Sequence, residues 1–593
     1  MENKNKYLRY NSSNYDKQPF VQVATEPDVA VSSWEVINNI LKRKISERKQ
    51  KSTIVAVEYY PGVHEEELKQ QLIESLEPTI SFFTNDLFKS ENEVLELTRP
   101  NVTDDAVFGY MTRLKILDFF DQEKLKDAYE ELSKARGLIV VYGYGATILA
   151  KEPDLLIYAD MPRWELQLRY RREEINNLGI SNKGEKASLQ YKRGFFVDWR
   201  VADRHKKDLL RKLDFILDTT QVLAPNLIDG DSYRKALIQT VKQPFRVVPY
   251  FDSGPWGGQW MKEICDLDRE KINYAWCFDC VPEENSLNLK FGNVLIETPA
   301  MNLLLYQAKP LLGDLVQARF GDEFPIRFDF LDTMEGGNLS LQVHPTTEYI
   351  RENFGMPYTQ DESYYILDAG KDATVYLGLN ETVDPVIMVS ELKIAQEKSV
   401  PFNAAKHVTK WSVKKHDHVL IPAGTVHCSG ANCMILEISA TPYIFTFKLY
   451  DWERLGLDGQ PRPINIDRGE KVIDWSRKEN WTQQQLINRI EKVGEGKGFI
   501  EEKTGLHEQE FIETRRFWFS ETIIQGTENS VNVLNLIEGR EAIVESPEDV
   551  FEPFVIHYAE TFIVPAAVKN YSIRPYGESV GETIGIIKAF VKH

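Results

Sequence analysis

Cysteine is scarce. The 593 residues hold five, Cys265, Cys277, Cys280, Cys428 and Cys433, too few and too odd in number for a disulfide framework. That usage predicts a reducing compartment. Apolar runs long enough to cross a bilayer are also missing. The longest, GLIVVYGYGATILA at 137–150, is too short and is interrupted by glycines. The opening segment, MENKNKYLRYNSSNYDKQPF, has no apolar stretch of a secretory signal. A cytoplasmic protein is therefore expected. Positive charge is in deficit: 71 Lys+Arg face 90 Asp+Glu, for a formal charge of −19. Long-range repulsion then argues against nucleic acid or an anionic membrane as partner, while a local basic site for a small phosphate remains compatible. The sequence has no low-complexity tract and no short-period repeat. It is 42% hydrophobic and 27% charged, a globular balance over a length that calls for several domains.

The texture changes near residue 245. From 34 to 245, short apolar runs such as TIVAV (53–57), LIVVY (138–142) and LLIY (155–158) alternate with charged helical stretches. That alternation predicts a doubly wound α/β domain with a parallel sheet. From 246 onward, short strands such as ATVYLGL, HVLIPAG, CMILEIS and YIFTFKLY are separated by Gly, Pro, Asn and Asp, as in an antiparallel barrel or sandwich. A helical patch at 301–319 interrupts them. The expected organisation is an N-terminal arm (1–33), an α/β domain (34–245), a β domain with a helical insertion (246–463), a helical linker containing TQQQLINRIEKV (464–504) and a final β domain (505–593).

Four residues stand in an order that suits a metal. Gln342 and His344 lie two apart in LSLQVHP, so on a strand both face the same way. Glu362 opens the next strand in DESYYIL, and His427 follows the turn in IPAGTVH. Two imidazoles, a carboxylate and an amide oxygen suit a borderline divalent ion such as zinc, with a position open for water or substrate. Other histidines read more plainly. His407, His416 and His418 are expected to be exposed or capping residues, and His557 falls in a unit without a QxH partner. Cys277-Phe-Asp-Cys280 is a lone CxxC and predicts no structural zinc.

These segments also resemble the zinc-site strands of class I, cupin-type mannose-6-phosphate isomerases. The likeness runs back to PYFDSGPWGGQWM (249–261), where Trp256-Gly257-Gly258 matches the family's WGG. It runs forward to FKLYDWERLGLDGQPRPINID (447–467) and so covers about 246–593. The resemblance implies a pair of cupin barrels, one zinc ion per chain on Gln342, His344, Glu362 and His427, and interconversion of mannose 6-phosphate and fructose 6-phosphate through an enediol(ate). It implies Lys448 and Asp451 as catalytic residues, and Ser340, Trp256, Arg454 and Asp329 as substrate-binding ones. Two departures alter the substrate shell. Lys448 replaces an arginine, and Asp329 stands where a lysine is expected, with Arg327 two residues away on the same face. An isomerase of another, unphosphorylated sugar is thus an alternative, as is an inactive sugar-phosphate sensor. Assembly into a homo-oligomer is compatible with the sequence.

The first half resembles uridine-kinase-like P-loop enzymes, from SSWEVINNILK and STIVAVEYYPGVHEEEL through TNDLFK and TDDAVF to DLLIYADMPRWELQLRYRREE. Its phosphate loop is degenerate. Tyr59 replaces the first glycine, and His64, Glu65 and Glu66 replace Gly-Lys-Ser/Thr, which removes the backbone approach and the lysine that phosphates need. The resemblance therefore implies a pseudokinase module that does not bind ATP in the usual manner. Arg163, Arg169, Arg171 and Arg172 could meet a phosphate, though a salt-bridged, solvated helix is the plainer expectation.

Overall fold

The structure, a computed structural model, describes all residues except 1–5, 10–11, 25–28, 49–50, 441–443, 506, 509 and 593. The chain divides into two compact units. One comprises 20–240 with 282–307; the other comprises 1–19, 241–281 and 308–593.

The first unit is built on a seven-stranded sheet. Five strands run parallel in the spatial order Ile80–Phe83, Gly137–Gly143, Ser52–Tyr59, Leu155–Asp160 and Phe215–Asp218. Asn226–Asp229 and Ala30–Ser32 add antiparallel strands at one edge. The β-branched run of Ser52–Tyr59 forms the middle because helices cover both faces of a parallel sheet, leaving no solvated side for polar alternation. The chain fills one side of this strand before crossing to the other, which creates a switch point at the strands' C-terminal ends.

The unit does not end where the texture changes. Residues 282–307, expected within the first β domain, belong to it. Their hairpin, Ser286–Phe291 with Val294–Pro299, takes Val21–Gln22 as a third strand. Within this segment Asn302 donates to Asp160 at 2.7 Å and Tyr233 at 2.9 Å, and the Glu297 amide donates to Asp218 at 2.9 Å. Lys206 completes the buried cluster on Asp160 at 2.8 Å. The helix Ala300–Leu312 breaks at Gln307 (φ −128°, ψ 37°), where the division between units falls.

The second unit carries two β regions. The first pairs a six-stranded sheet, in which Glu362–Ala369, Cys433–Ser439 and Arg327–Asp332 are neighbours, with a five-stranded sheet containing His427–Ser429, Leu341–Val343 and Phe447–Tyr450. The second combines a six-stranded and a four-stranded sheet over residues 491–591 around an apolar core that includes Phe517, Leu536, Phe562 and Ile586. The expected helical linker is corrected here. Its helix stops at Gln485, and Glu491–Gly496 pairs with Phe499–Lys503 as the outer hairpin of the last sheet. All five cysteines are buried, and none is in a disulfide. Among the described residues no helix is long and apolar enough to cross a membrane.

Candidate metal centre

Strand register brings the four expected ligands together. Gln342 on Leu341–Val343 lies directly opposite His427 on one neighbouring strand and Lys448 on the other. His344 follows two residues after Gln342 on the same face. Glu362, the first residue of Glu362–Ala369, comes from the other sheet. Its carboxylate stands between the imidazoles: Oε1 is 2.8 Å from His427 Nε2 and Oε2 is 3.1 Å from His344 Nε2. The Gln342 carboxamide is 3.2 Å from His427 Nε2. All four residues are buried.

The donor set fits a divalent ion. Each histidine places Nδ1 against a main-chain carbonyl, His427 at 2.9 Å from Thr425 O and His344 at 3.4 Å from Phe445 O. An Nδ1–H donated there leaves the Nε2 lone pair for a metal. His344 Nε2 and Glu362 Oε1 are fully buried yet have no hydrogen-bond partner. Buried polar atoms without partners are costly, and a cation at their meeting point would remove that cost. Among the described residues His344, Glu362 and His427 are the one group of such side chains close enough to share an ion.

Beside them lies a second polar cluster. Asp451 is held by Arg462 Nε at 2.5 Å and Arg454 at 2.9 Å, and it accepts from Ser340 Oγ at 3.0 Å. Arg462 also donates to Ser340 at 2.8 Å. Burial would raise the Asp451 carboxyl, but Arg462 and Arg454 hold it below the usual range. So engaged, it organises two guanidinium groups and is a weak proton acceptor. Lys448 is half-buried; burial and the nearby Arg462, opposed by Asp451, bring its amine down to about 8. Arg462 was not among the expected site residues. It sits in the GQPRP loop, where only its arginine next to proline marks it.

Asp329 is buried on Arg327–Asp332, directly opposite Glu437. The fully buried Arg327 lies 3.8 Å from it, so a cation stands beside this carboxylate. Burial, with Glu362 and Asp329 nearby, pushes the Glu437 carboxyl well up. Trp256 is only 1% exposed and stands edge-on to Trp276 at 4.8 Å. Its carbonyl accepts from Gly337, and a side chain at Gly258 would collide with Asp332 at 2.0 Å. The WGG segment thus braces the 333–339 loop, and Trp256 is a packing residue in this structure.

Two histidine expectations change, those for His407 and His418, while His416 stays partly exposed. His407 is buried and stacked on Phe402, 2.7 Å from Glu391. His418 is buried at 2.9 Å from Ser363 Oγ; burial and Arg516 bring it down to about 3. His416 meets Tyr365 at 3.0 Å. His557 meets Glu560 at 3.0 Å.

In the first unit, the loop after Ser52–Tyr59 opens on a cleft of about 510 Å³ lined by His64, Glu65, Glu66, Glu67, Glu174 and Lys183, among others. Arg169 is wholly buried and donates to the carbonyls of Gly62 (2.8 Å), Thr219 (2.7 Å) and Thr220 (3.1 Å). Arg163 is buried against Asp203, and Arg172 binds Glu165 and Glu174 at 2.6 and 2.8 Å. Arg171 lies over Trp164. Two of the four arginines are therefore core residues, contrary to a solvated helix face.

A family model described as a domain of unknown function (DUF8485) matches residues 33–242. The mannose-6-phosphate isomerase ManA of Bacillus subtilis is 28% identical over 235 residues, 39% of this chain and 68% of that protein. The mannose-6-phosphate isomerase of Streptococcus mutans is 25% identical over 236 residues, 39% of this chain and 68% of that protein. The crystal structure of the Bacillus subtilis mannose 6-phosphate isomerase aligns with a TM-score of 0.47 at 18% identity, over 58% of this chain and 99% of that one.

Proposed function

We propose that this chain is a zinc-dependent aldose–ketose isomerase that interconverts mannose 6-phosphate and fructose 6-phosphate through an enediol(ate). The proposed ligands of one ion per chain are Gln342, His344, Glu362 and His427, on the first of two cupin barrels. The observation that carries this reading is the convergence of His344 Nε2, Glu362 Oε1 and His427 Nε2, the first two buried without a hydrogen-bond partner. Sequence similarity to two mannose-6-phosphate isomerases supports the reaction.

The reaction moves a proton between C1 and C2, which requires an acid/base group and stabilisation of a developing oxyanion. Zinc, when bound, supplies Lewis-acid polarisation of a substrate oxygen. Lys448, the cross-strand neighbour of Gln342, is our choice for the group that holds and moves the proton. Asp451 positions Arg454, Arg462 and Ser340, and this cationic cluster suits a phosphate. We read the first unit as a degenerate P-loop-kinase-like module. The test is interconversion of the two hexose phosphates by full-length, zinc-loaded protein against a chelated control. Turnover lost on chelation and restored by zinc supports the reading; turnover that survives metal removal overturns it.

A second reading, an unphosphorylated sugar, draws on Asp329 and Glu437, two carboxylates facing each other where a phosphate-binding wall would carry cations. Under it, Asp329→Lys raises use of phosphosugar relative to free sugar; an unchanged ratio counts against it.

A further inference from the structure

We propose that Gln360 is a positioning residue that makes Glu362 a one-oxygen metal ligand, holding Oε2 so that Oε1 is the atom presented to the ion. The inference rests on the metal reading above.

Gln360 lies two residues before Glu362 and is 3% exposed. Its carboxamide nitrogen donates to Glu362 Oε2 at 2.9 Å and to Glu437 Oε1 at 3.3 Å. Both acceptors are carboxyl oxygens, so the nitrogen end of the amide must face them, and its two hydrogens serve one each. Reversal would set an amide oxygen against both. Glu437 is in turn placed by strand register, opposite Tyr364 on one side and Asp329 on the other. The bridge therefore has one end in the Glu362 carboxylate and the other in a fixed strand.

The two oxygens of Glu362 are unequal as a result. Each oxygen faces one imidazole, Oε2 at 3.1 Å from His344 Nε2 and Oε1 at 2.8 Å from His427 Nε2. Oε2 alone accepts a hydrogen bond, from Gln360, and Oε1 is buried without one. A carboxylate tethered at one oxygen resists the rotation that would offer both to a metal. Hydrogen bonds of this sort to ligating groups are worth roughly 10–100-fold in metal affinity.

The experiment is zinc competition against a chromophoric chelator with the full chain. The parent is compared with Gln360→Met, which keeps length and loses the donor, and Gln360→Lys, which restores an N–H donor. We expect Gln360→Met to bind zinc roughly 10–100-fold more weakly and Gln360→Lys to stay within about threefold of the parent. A crystal structure of the zinc-loaded parent should place Glu362 Oε1 alone within bonding distance. Equal affinity in Gln360→Met, or an equal loss in Gln360→Lys, overturns the inference. Bidentate Glu362 in the parent does so too. If Gln360→Met fails to fold, Gln360→Ala carries the same expectation. A parent that binds no zinc removes the metal reading itself, and this inference with it.

Discussion

The two β regions of the second unit are each made of paired antiparallel sheets, yet they differ in what points inward. In the first, Gln342, His344, Glu362, His427, Glu437, Asp329 and Arg327 are all buried. In the second, the interior is Phe517, Phe519, Leu534, Leu536, Val544, Phe562 and Ile586. A strand exchanges face at every residue, so the same architecture becomes a site or a solid core according to a few inward positions. The apolar interior supplies stability through burial, about 1.5–3 kcal/mol for each large side chain. The polar interior spends stability to hold unpartnered atoms where a ligand can use them.

The contrast is broken most sharply by removing a proposed metal ligand from the first interior. His427→Ala should abolish zinc binding, measured by metal analysis after gel filtration, and lower hexose-phosphate turnover roughly a thousandfold or more. Its unfolding in urea without metal should change little by comparison. Phe562→Ala should do the reverse. Emptying that fully buried site should lower the unfolding free energy by about 3–5 kcal/mol while leaving zinc stoichiometry at the parent value. A variant that moved both readouts together would show that the two regions are not energetically separate.

Much of this plan is legible in the residues themselves, and its gaps have physical causes. The runs at 53–57, 138–142 and 155–158 announce parallel strands because a sheet covered on both faces must be apolar throughout. The proposed ligands are legible because QVH is a two-residue repeat on one strand and PAGTVH a tight turn, both local signals. Residues 282–307 were expected on the wrong side because a hairpin's alternation does not say which body it covers. One partner of Asp160 is Asn302, 142 positions along the chain. The run TQQQLINRIEKV favours helix locally, but from Glu491 it pairs with Phe499–Lys503, and tertiary pairing outweighs propensity. Gln360 went unnoticed since a glutamine before a strand has no distinctive signal. Glu437 did have one, a lone carboxylate inside the apolar strand CMILEIS.

Smaller effects sharpen the comparison at the rim of the apolar region. Glu538 ends a strand of the last sheet and meets Lys415 at 2.5 Å and Arg9 at 2.6 Å. Burial alone would raise its carboxyl, but hydrogen bonds from His416 and Lys415 bring it down from 4.5 to about 2. A depressed carboxyl contributes stability that is complete above its ordinary value of 4.5 and lost as pH falls toward about 2. Glu538→Gln should therefore cost about 2 kcal/mol in urea unfolding at pH 7. The gap from the parent should narrow steadily below about pH 4.5. A gap independent of pH would mean that packing, not charge, holds this position.

The smallest expected effect belongs to the first unit, whose cleft we read as that of a degenerate P-loop-kinase-like module. Phosphate binding in a P-loop requires backbone N–H groups turned toward the ligand and a lysine behind them. Here Arg169 donates to the carbonyl of Gly62 at 2.8 Å, so an internal arginine takes the loop's polarity for the core. Glu58, at the end of the central strand, accepts from the Thr147 amide at 3.0 Å and Oγ1 at 2.9 Å. The cleft wall then carries Glu65, Glu66, Glu67 and Glu174. Four carboxylates would oppose a triphosphate even where the volume allows one. Millimolar ATP with magnesium should leave the melting temperature of the full chain unchanged, whereas a Kd a hundredfold below the ligand concentration would stabilise it by about 2.7 kcal/mol. A clear upward shift with ATP would overturn the reading of this module as unable to bind ATP.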